Sequence, residues 1–296
     1  MSEKGTLFDD EFLKKLEYLN LVANNMIPGH LHGEHRAKKT TDSGIEFADY
    51  RQYVPGEDTK NVDWRTYLKL DKLILRLFEE EADLPIYIFF DSSASMDHGV
   101  PAKFDYARKI AAALCYVGLL NQDRVNLVGF ADGISQELPA RRGKHQVWHA
   151  FRFLESVEAS GTTAMEKAFK GFFSSRRRRG LVVVVSDFMD ERGFSKAFDM
   201  LRYFRQDLFA VQIHSPEEAR PDLPDEVLLE DVELGTSQRV RITPALLEAY
   251  AEQFEAHCEE INGYCKKNGW GYVRTTTDVP FEDLILQVFR QGRFLR

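Results

Sequence analysis

Residues 181–185 read Leu-Val-Val-Val-Val. A β-forming run that is apolar at every position has to be covered on both faces. That condition is met inside a sheet with helices packed on each side, the arrangement typical of parallel sheets. A second run, Ile86-Tyr-Ile-Phe-Phe90, has the same character. The spacing predicts further strands at Val125–Phe130, Leu208–Ile213 and Tyr272–Thr275. Between them the apolar residues recur at helical spacing, over Phe104–Leu120, Gln146–Val157, Ala164–Phe173, Ser195–Arg205, Pro244–Lys267 and Pro280–Arg290. Strands alternating with helices imply an α/β fold, doubly wound, with a mostly parallel central sheet flanked by helices. Ile86–Phe90 and Leu181–Val185 are expected as adjacent central strands.

Two stretches break that rhythm. Residues 227–242 hold two short runs around Gly235-Thr236-Ser237, the pattern of a small β-hairpin insertion. Residues 1–83 read as an N-terminal extension, distinct from the α/β domain at 84–296. The extension opens with a helix over 7–27, where Phe8, Phe12, Leu16 and Leu19 share a face. Residues 28–45 are polar and read as irregular. The segment from Glu46 to Glu81 suggests short strands and turns, with a turn at Pro55-Gly56. Within it, Asp63-Trp64-Arg65 is best explained by a buried Trp64 that anchors the segment to the α/β domain, with a partner surface as the alternative.

The 296 residues carry a net charge of −8, which counts against a general nucleic-acid binder. The basic run Arg176–Arg179 is expected as a solvated helix end, where cations suit the carbonyl end of the dipole. Cys115, Cys258 and Cys265 form no CxxC pair, so zinc is not expected. Cys258 and Cys265, seven apart in a helix, are expected to share a buried face. The N-terminus lacks the basic-then-apolar order of a signal peptide, and no apolar run approaches the ~20 residues of a membrane span. A cytoplasmic location follows as the expectation.

The strand Ile86–Phe90 runs into Asp91-Ser92-Ser93-Ala94-Ser95. Open parallel sheets bind ligands at the carboxyl ends of their strands. Oxygen donors at Asp91, Ser93 and Ser95 can converge on a small hard cation, Mg2+ or else Mn2+ or Ca2+. Two other segments fit the same place. Gly161-Thr162-Thr163 precedes a helix and offers a hydroxyl; Ser186-Asp187 closes the second buried strand and offers a carboxylate, either as a ligand or to orient a metal-bound water. Singly, each segment is explained as a helix cap. The three together are far more specific. Asp97 and Asp190 lie near enough in sequence either to tune cation entry or to be ordinary solvated charges.

Asp-x-Ser-x-Ser, then Gly-Thr, then strand-Ser-Asp resembles the metal-ion-dependent adhesion site of von Willebrand factor A domains. The chain is more specifically similar to the bacterial domain-of-unknown-function family 58, an A-like family associated with MoxR-type AAA+ ATPases. The segments that carry the likeness are Glu46-Phe-Ala-Asp-Tyr-Arg51, Tyr53-Val-Pro-Gly-Glu-Asp58, Val62-Asp-Trp-Arg65, Phe78-Glu-Glu-Glu81, Lys103-Phe-Asp-Tyr-Ala-Arg108 and Ser186-Asp-Phe-Met-Asp190. The resemblance implies a metal at the top of the sheet, held by Asp91, Ser93, Ser95, Thr162 and Asp187. Thr162 matches the family position better than the adjacent Thr163. It also implies an adaptor that offers the metal to an Asp or Glu of a partner protein and works with a MoxR-type ATPase in assembling or maturing a complex.

The competing class is a metal-dependent hydrolase or phosphatase using Asp91. A dehalogenase-type phosphatase needs a second carboxylate two residues on, where this chain has Ser93. There is no Gly-x-Ser-x-Gly elbow and no P-loop. His98 reads as an ordinary loop histidine rather than a base. The expectation is a non-enzymatic protein.

Overall fold

In the computed structural model the described residues are 7–26, 36–41, 46–54, 59–175, 177–190, 192–224, 226–230 and 237–291. The chain forms two compact units. One is Gly33–Leu84; the other joins Met1–His32 to Pro85–Arg296. The expected first domain, 1–83, is thereby divided. Its opening helix, α1 (Asp10–Met26), belongs to the larger unit. The reason is packing: Phe12, Leu16, Leu19 and Ala23 form one buried stripe, and the Phe12 ring lies 4.9 Å from that of Phe281 near the other end of the chain.

The smaller unit is a three-stranded antiparallel sheet, ordered β1 (Arg36–Thr41), β3 (Ile74–Asp83), β2 (Glu46–Gln52). The 28–45 segment was expected to be irregular, yet 36–41 is a strand; 28–35 and 42–45 lie outside the described residues, as does the Pro55-Gly56 turn. Between β2 and β3 runs a short helix, α2 (Trp64–Leu70), where strands and turns were expected. Asp63 caps it, its Oδ1 accepting from the backbone N–H of Arg65 and Thr66 at 3.0 and 3.1 Å. Trp64 is 56% exposed and meets Tyr67 edge-on, so it is not the buried anchor the sequence suggested.

The larger unit is built on six strands. In chain order they are β4 (Ile86–Asp91), β5 (Val125–Phe130), β6 (Ile134–Arg141), β7 (Leu181–Ser186), β8 (Asp207–His214) and, after a hairpin, β11 (Gly271–Thr276). Their spatial order is β11-β8-β7-β4-β5-β6. All neighbours are parallel except the β5–β6 pair. The helices are α3 (Lys103–Leu120), α4 (Val147–Ser156), α5 (Met165–Phe173), α6 (Phe194–Tyr203), the one-turn α7 (Pro216–Ala219), α8 (Pro244–Lys267) and α9 (Phe281–Arg290). The fold is a doubly wound α/β fold, as expected.

The continuous apolar runs are explained by two cores. Along β4, Ile86, Ile88 and Phe90 join one cluster with α1, α3, α4 and α9; Tyr87 and Phe89 join the other with α5 and α6. In β7, Leu181, Val183 and Val185 go one way and Val182 and Val184 the other. Phe89 alone lies within ring contact of Phe130, Phe169, Phe172 and Phe173. Gly118 lets α3 approach the sheet, because a Cβ there would stand 2.8 Å from Val125 Cγ2. Cys115, Cys258 and Cys265 are buried thiols.

The hairpin strands are β9 (Glu226–Glu230) and β10 (Ser237–Arg241), paired antiparallel. The expected turn at Gly235-Thr236-Ser237 falls mostly outside the described residues. Arg177 Nη2 donates to both carboxylate oxygens of Glu137 and the guanidinium lies over the Phe172 ring, and Arg179 pairs with Asp207, so this basic stretch is tied into the surface of its own unit. Arg176 is outside the described residues.

Candidate metal centre

The chain enters the sheet at its centre through β4, adds β5 on one side, and returns to add β7 on the other. The strand order therefore switches direction between β4 and β7. In such sheets the crevice for a ligand opens beyond the carboxyl ends of those two strands. Phe90 pairs with Val185, which sets Asp91 beside Ser186. The expected site residues from the two strands are brought to one place by that register.

Asp91 is completely buried. Its Oδ1 accepts the Ser93 N–H at 2.9 Å, and its Oδ2 accepts the Ser186 hydroxyl at 2.6 Å. Ser93 Oγ and Ser95 Oγ share a hydrogen bond at 3.0 Å, which either hydroxyl can donate. That separation is the edge of an octahedron around Mg2+, whose oxygens stand about 2.0–2.1 Å from the ion and hence about 2.9–3.0 Å from one another. Ser93 is buried and Ser95 half-buried. Ser92, the odd member, is structural: its Oγ bonds the Phe130 carbonyl and Ser135 Oγ, both at 3.0 Å.

The threonine segment is clipped onto this loop. Ala94 N–H donates to the Gly161 carbonyl at 2.9 Å, and Ser160 N–H to the Ser92 carbonyl at 2.8 Å. Gly161 has φ +80, a left-handed conformation that glycine adopts without strain. Thr162 is half-buried and Thr163 buried. Asp190 does not address the loop as a solvated charge. It accepts the first N–H of α5, from Met165, at 3.0 Å and that of Arg192 at 2.9 Å. Asp97 and His98 are exposed.

Asp187 is also buried, but its surroundings differ. Its Oδ1 accepts the Met189 N–H at 3.0 Å, and its Oδ2 accepts from the Lys103 ammonium at 2.7 Å. Lys103 is 1% exposed and also pairs with Glu218 on α7. Burial disfavours its ammonium form, yet the two carboxylates outweigh burial and hold its pKa above the ordinary lysine value. Asp91 goes the other way. Burial, then the nearby Asp187 charge, push its carboxyl up to about 7 despite the hydrogen bonds it accepts. Between Asp187 and Met189, Phe188 takes φ +60, a costly backbone for a bulky residue; its N–H is fixed by Ser186 Oγ at 2.9 Å.

The donor set fits a hard divalent ion. Among the described residues no group of three or more His, Cys, Asp or Glu is placed to hold a metal. A cation here would rest on hydroxyl oxygens and one near carboxylate, which suits Mg2+ and not a nitrogen- or sulfur-seeking metal. A cation beside Asp91 would offset both the burial of its carboxylate and the nearby Asp187 charge.

Three contributors were not foreseen: Lys103, Glu218 and the hydroxyl of Ser186. A signal for the first was present. A lysine at the first position of a helix opposes the dipole, so it needs a reason to be there. For Glu218 the sequence Ser215-Pro-Glu-Glu218 spells a capping box, which the structure forms.

The model of a family described as "Protein of unknown function DUF58" matches residues 49–260. An uncharacterized protein of Mycobacterium tuberculosis is 25% identical over 264 residues, spanning 87% of this chain and 82% of its own length. Among solved structures, the conserved hypothetical protein BatB from Bacteroides thetaiotaomicron aligns at TM-score 0.45 and 18% identity, over 70% of this chain and 98% of that one. The SpRpn10 VWA domain aligns at TM-score 0.41 and 11% identity, over 72% of this chain and 97% of its own.

Proposed function

The chain belongs to the family of proteins of unknown function DUF58, and from that membership and the geometry of the site we propose that it is a non-enzymatic, divalent-metal-dependent protein-binding adaptor. The observation that carries the reading is the 3.0 Å Ser93–Ser95 oxygen edge beside the buried Asp91 carboxylate. Asp91, Ser93 and Ser95 would hold the ion, with a hydroxyl from Thr162 and with Asp187 close by. A bound Mg2+ would supply positive charge with water-filled positions that an outside carboxylate can enter. The partner is a protein that presents an Asp or Glu, and the family resemblance points to a MoxR-type AAA+ ATPase in the cytoplasm. Among the described residues, no helix is long and apolar enough to cross a membrane.

What the chain itself does in this scheme is hold its donors in place before a cation arrives. The Ser93 N–H and the Ser186 hydroxyl fix both oxygens of Asp91. The backbone clip to Ser160 and Gly161 fixes the loop that carries the two serines. Preorganisation of this kind lowers the ordering cost of binding.

The test combines calorimetric Mg2+ titration with capture of the cognate ATPase, with and without chelator. For Asp91→Ala we expect a folded protein that neither binds Mg2+ nor shows Mg2+-dependent capture. Ser93→Ala and Ser95→Ala should weaken both less, since water can replace a neutral hydroxyl. Capture by the wild type that survives chelation, or survives Asp91→Ala, refutes the reading.

A further inference from the structure

We propose that Lys103 is a positioning residue that keeps the Asp187 carboxylate out of direct metal ligation, so that a cation bound by Asp91 keeps enough positive charge to attract a partner's carboxylate. The proposal rests on the metal-site reading above and deepens it. It starts from one contact: the Lys103 ammonium sits 2.7 Å from Asp187 Oδ2, with both side chains buried.

Asp187 differs from Asp91 in its partners: one oxygen accepts the Met189 N–H, but the other is held by a buried ammonium, where Asp91 meets only a neutral N–H and a hydroxyl. The ammonium is anchored from a second direction by Glu218, whose other oxygen accepts the Ser215 N–H at 2.8 Å. Lys103 thus ties the start of α3 to the residue after β7 and to α7, held between two carboxylates. The backbone beyond is also fixed, because the Asp187 carbonyl accepts from Gln212 Nε2 at 3.2 Å. To ligate an ion beside Asp91, Asp187 would have to abandon a buried ion pair.

A divalent ion with one carboxylate ligand keeps one positive charge, which an incoming Asp or Glu can neutralise. With two carboxylate ligands it would keep none, and the attraction for a partner's carboxylate would fall away. An added carboxylate ligand would also tighten the resting metal site, since affinity for hard cations rises with ligand charge. Lys103 sets the balance toward a weaker resting site and a stronger pull on the partner. Asp190, the other buried carboxylate at this end, does not alter the account, because the Met165 and Arg192 N–H groups occupy it.

The experiment uses Mn2+ as probe on the full chain. Electron spin resonance in 17O-enriched water counts the water molecules on the bound ion, and calorimetry gives its affinity. For Asp187→Asn the proposal expects the wild-type water count. For Lys103→Met it expects one water fewer and Mn2+ binding tighter by about tenfold, as a freed carboxylate becomes a ligand. Adding Asp187→Asn to Lys103→Met should restore the wild-type count, and Lys103→Arg should retain it. A gain of one water in Asp187→Asn alone makes Asp187 a direct ligand and overturns the proposal. So does an unchanged count with weaker binding in Lys103→Met. Should Lys103→Met fail to fold, Lys103→Gln takes its place with the same expected loss of one water, and a wild-type count and affinity there overturns the proposal. Failure of the wild type to bind Mn2+ at all is a separate result: it removes the metal reading, and this inference with it.

Discussion

The two central strands of the sheet end alike in sequence and unlike in electrostatics. β4 and β7 are parallel neighbours, both apolar on both faces, and an aspartate closes the first and follows the second. Asp91 accepts its hydrogen bonds from a backbone N–H and a hydroxyl, both neutral. Asp187 has a buried ammonium against it. The same residue type, at neighbouring strand ends and one residue apart in register, therefore plays two roles. One carboxylate is compensated within the fold and acts as a structural tie. The other is buried without an equal countercharge, and its pKa rises to about 7 as a result. Sequence pattern shows where carboxylates gather; only their partners show which of them is left for a ligand.

The largest expected effect tests the compensated side. Lys103→Met leaves Asp187 and Glu218 without their shared cation, and orphaning a buried charge in this way costs about 3–5 kcal/mol. Urea denaturation should show that loss in metal-free buffer. Replacing both partners, as in Lys103→Met with Asp187→Asn, should recover much of it, because the double variant leaves one fewer unpaired charge. A single variant as stable as the wild type would mean that the contrast between the two aspartates is only apparent.

The reach of sequence reasoning follows the same line between pattern and partner. β4, β5, β7, β8 and α8 were legible because each carries a strong periodic or continuous apolar signal. β6 was missed because it is an edge strand with mostly exposed side chains, Pro139 within it and no buried alternation to read. α2 was missed because none of its residues is buried, so it writes no stripe; the capping Asp63 was its one visible sign. At the site, Asp91, Ser93 and Ser95 stood out as candidate ligands only together with Gly161-Thr162 and Ser186-Asp187, since a single Asp-x-Ser-x-Ser loop reads equally well as a helix cap. Lys103 could not be paired with Asp187, which is 84 residues away, since nothing local records that contact. The left-handed Phe188 left no mark either, because no glycine announces it.

A second expected effect extends the comparison to the next strand end. His214 closes β8, buried, with its ring edge-on to Phe254. Burial, then the charges of Arg274 and Lys103, lower its pKa to about 4. In the unfolded chain a histidine titrates near about 6.5. Between these values the unfolded state binds the proton and the folded state does not. Stability from this group is therefore whole above about pH 6.5 and is lost as pH falls toward 4, by up to about 3 kcal/mol. Denaturation midpoints at pH 7 and pH 4.5 should differ by less in His214→Gln than in the wild type. Equal slopes would show that Lys103 and its neighbours do not make this end of the sheet hostile to a second cation.

The smallest expected effect on stability is the sharpest test of the uncompensated side. Asp91→Asn in metal-free buffer removes a buried negative charge that sits near another. The amide oxygen can still accept the Ser93 N–H, while the amide nitrogen turns toward Ser186 and forces that hydroxyl to release its own bond. The lost hydrogen bond costs about 1 kcal/mol, and the relief of burial and repulsion offsets it. The variant should thus unfold within about 1 kcal/mol of the wild type. Asp187→Asn should be markedly worse, because it removes the buried countercharge of Lys103 and leaves that ammonium only the partly exposed Glu218. Saturating Mg2+ then separates the pair further. The wild type should gain about 2.7 kcal/mol when Mg2+ stands at a hundredfold its dissociation constant, and Asp91→Asn should gain nothing. If Asp91→Asn in metal-free buffer is as damaging as Asp187→Asn, the fold depends on both carboxylates equally, and the argument that one is held ready for a cation fails.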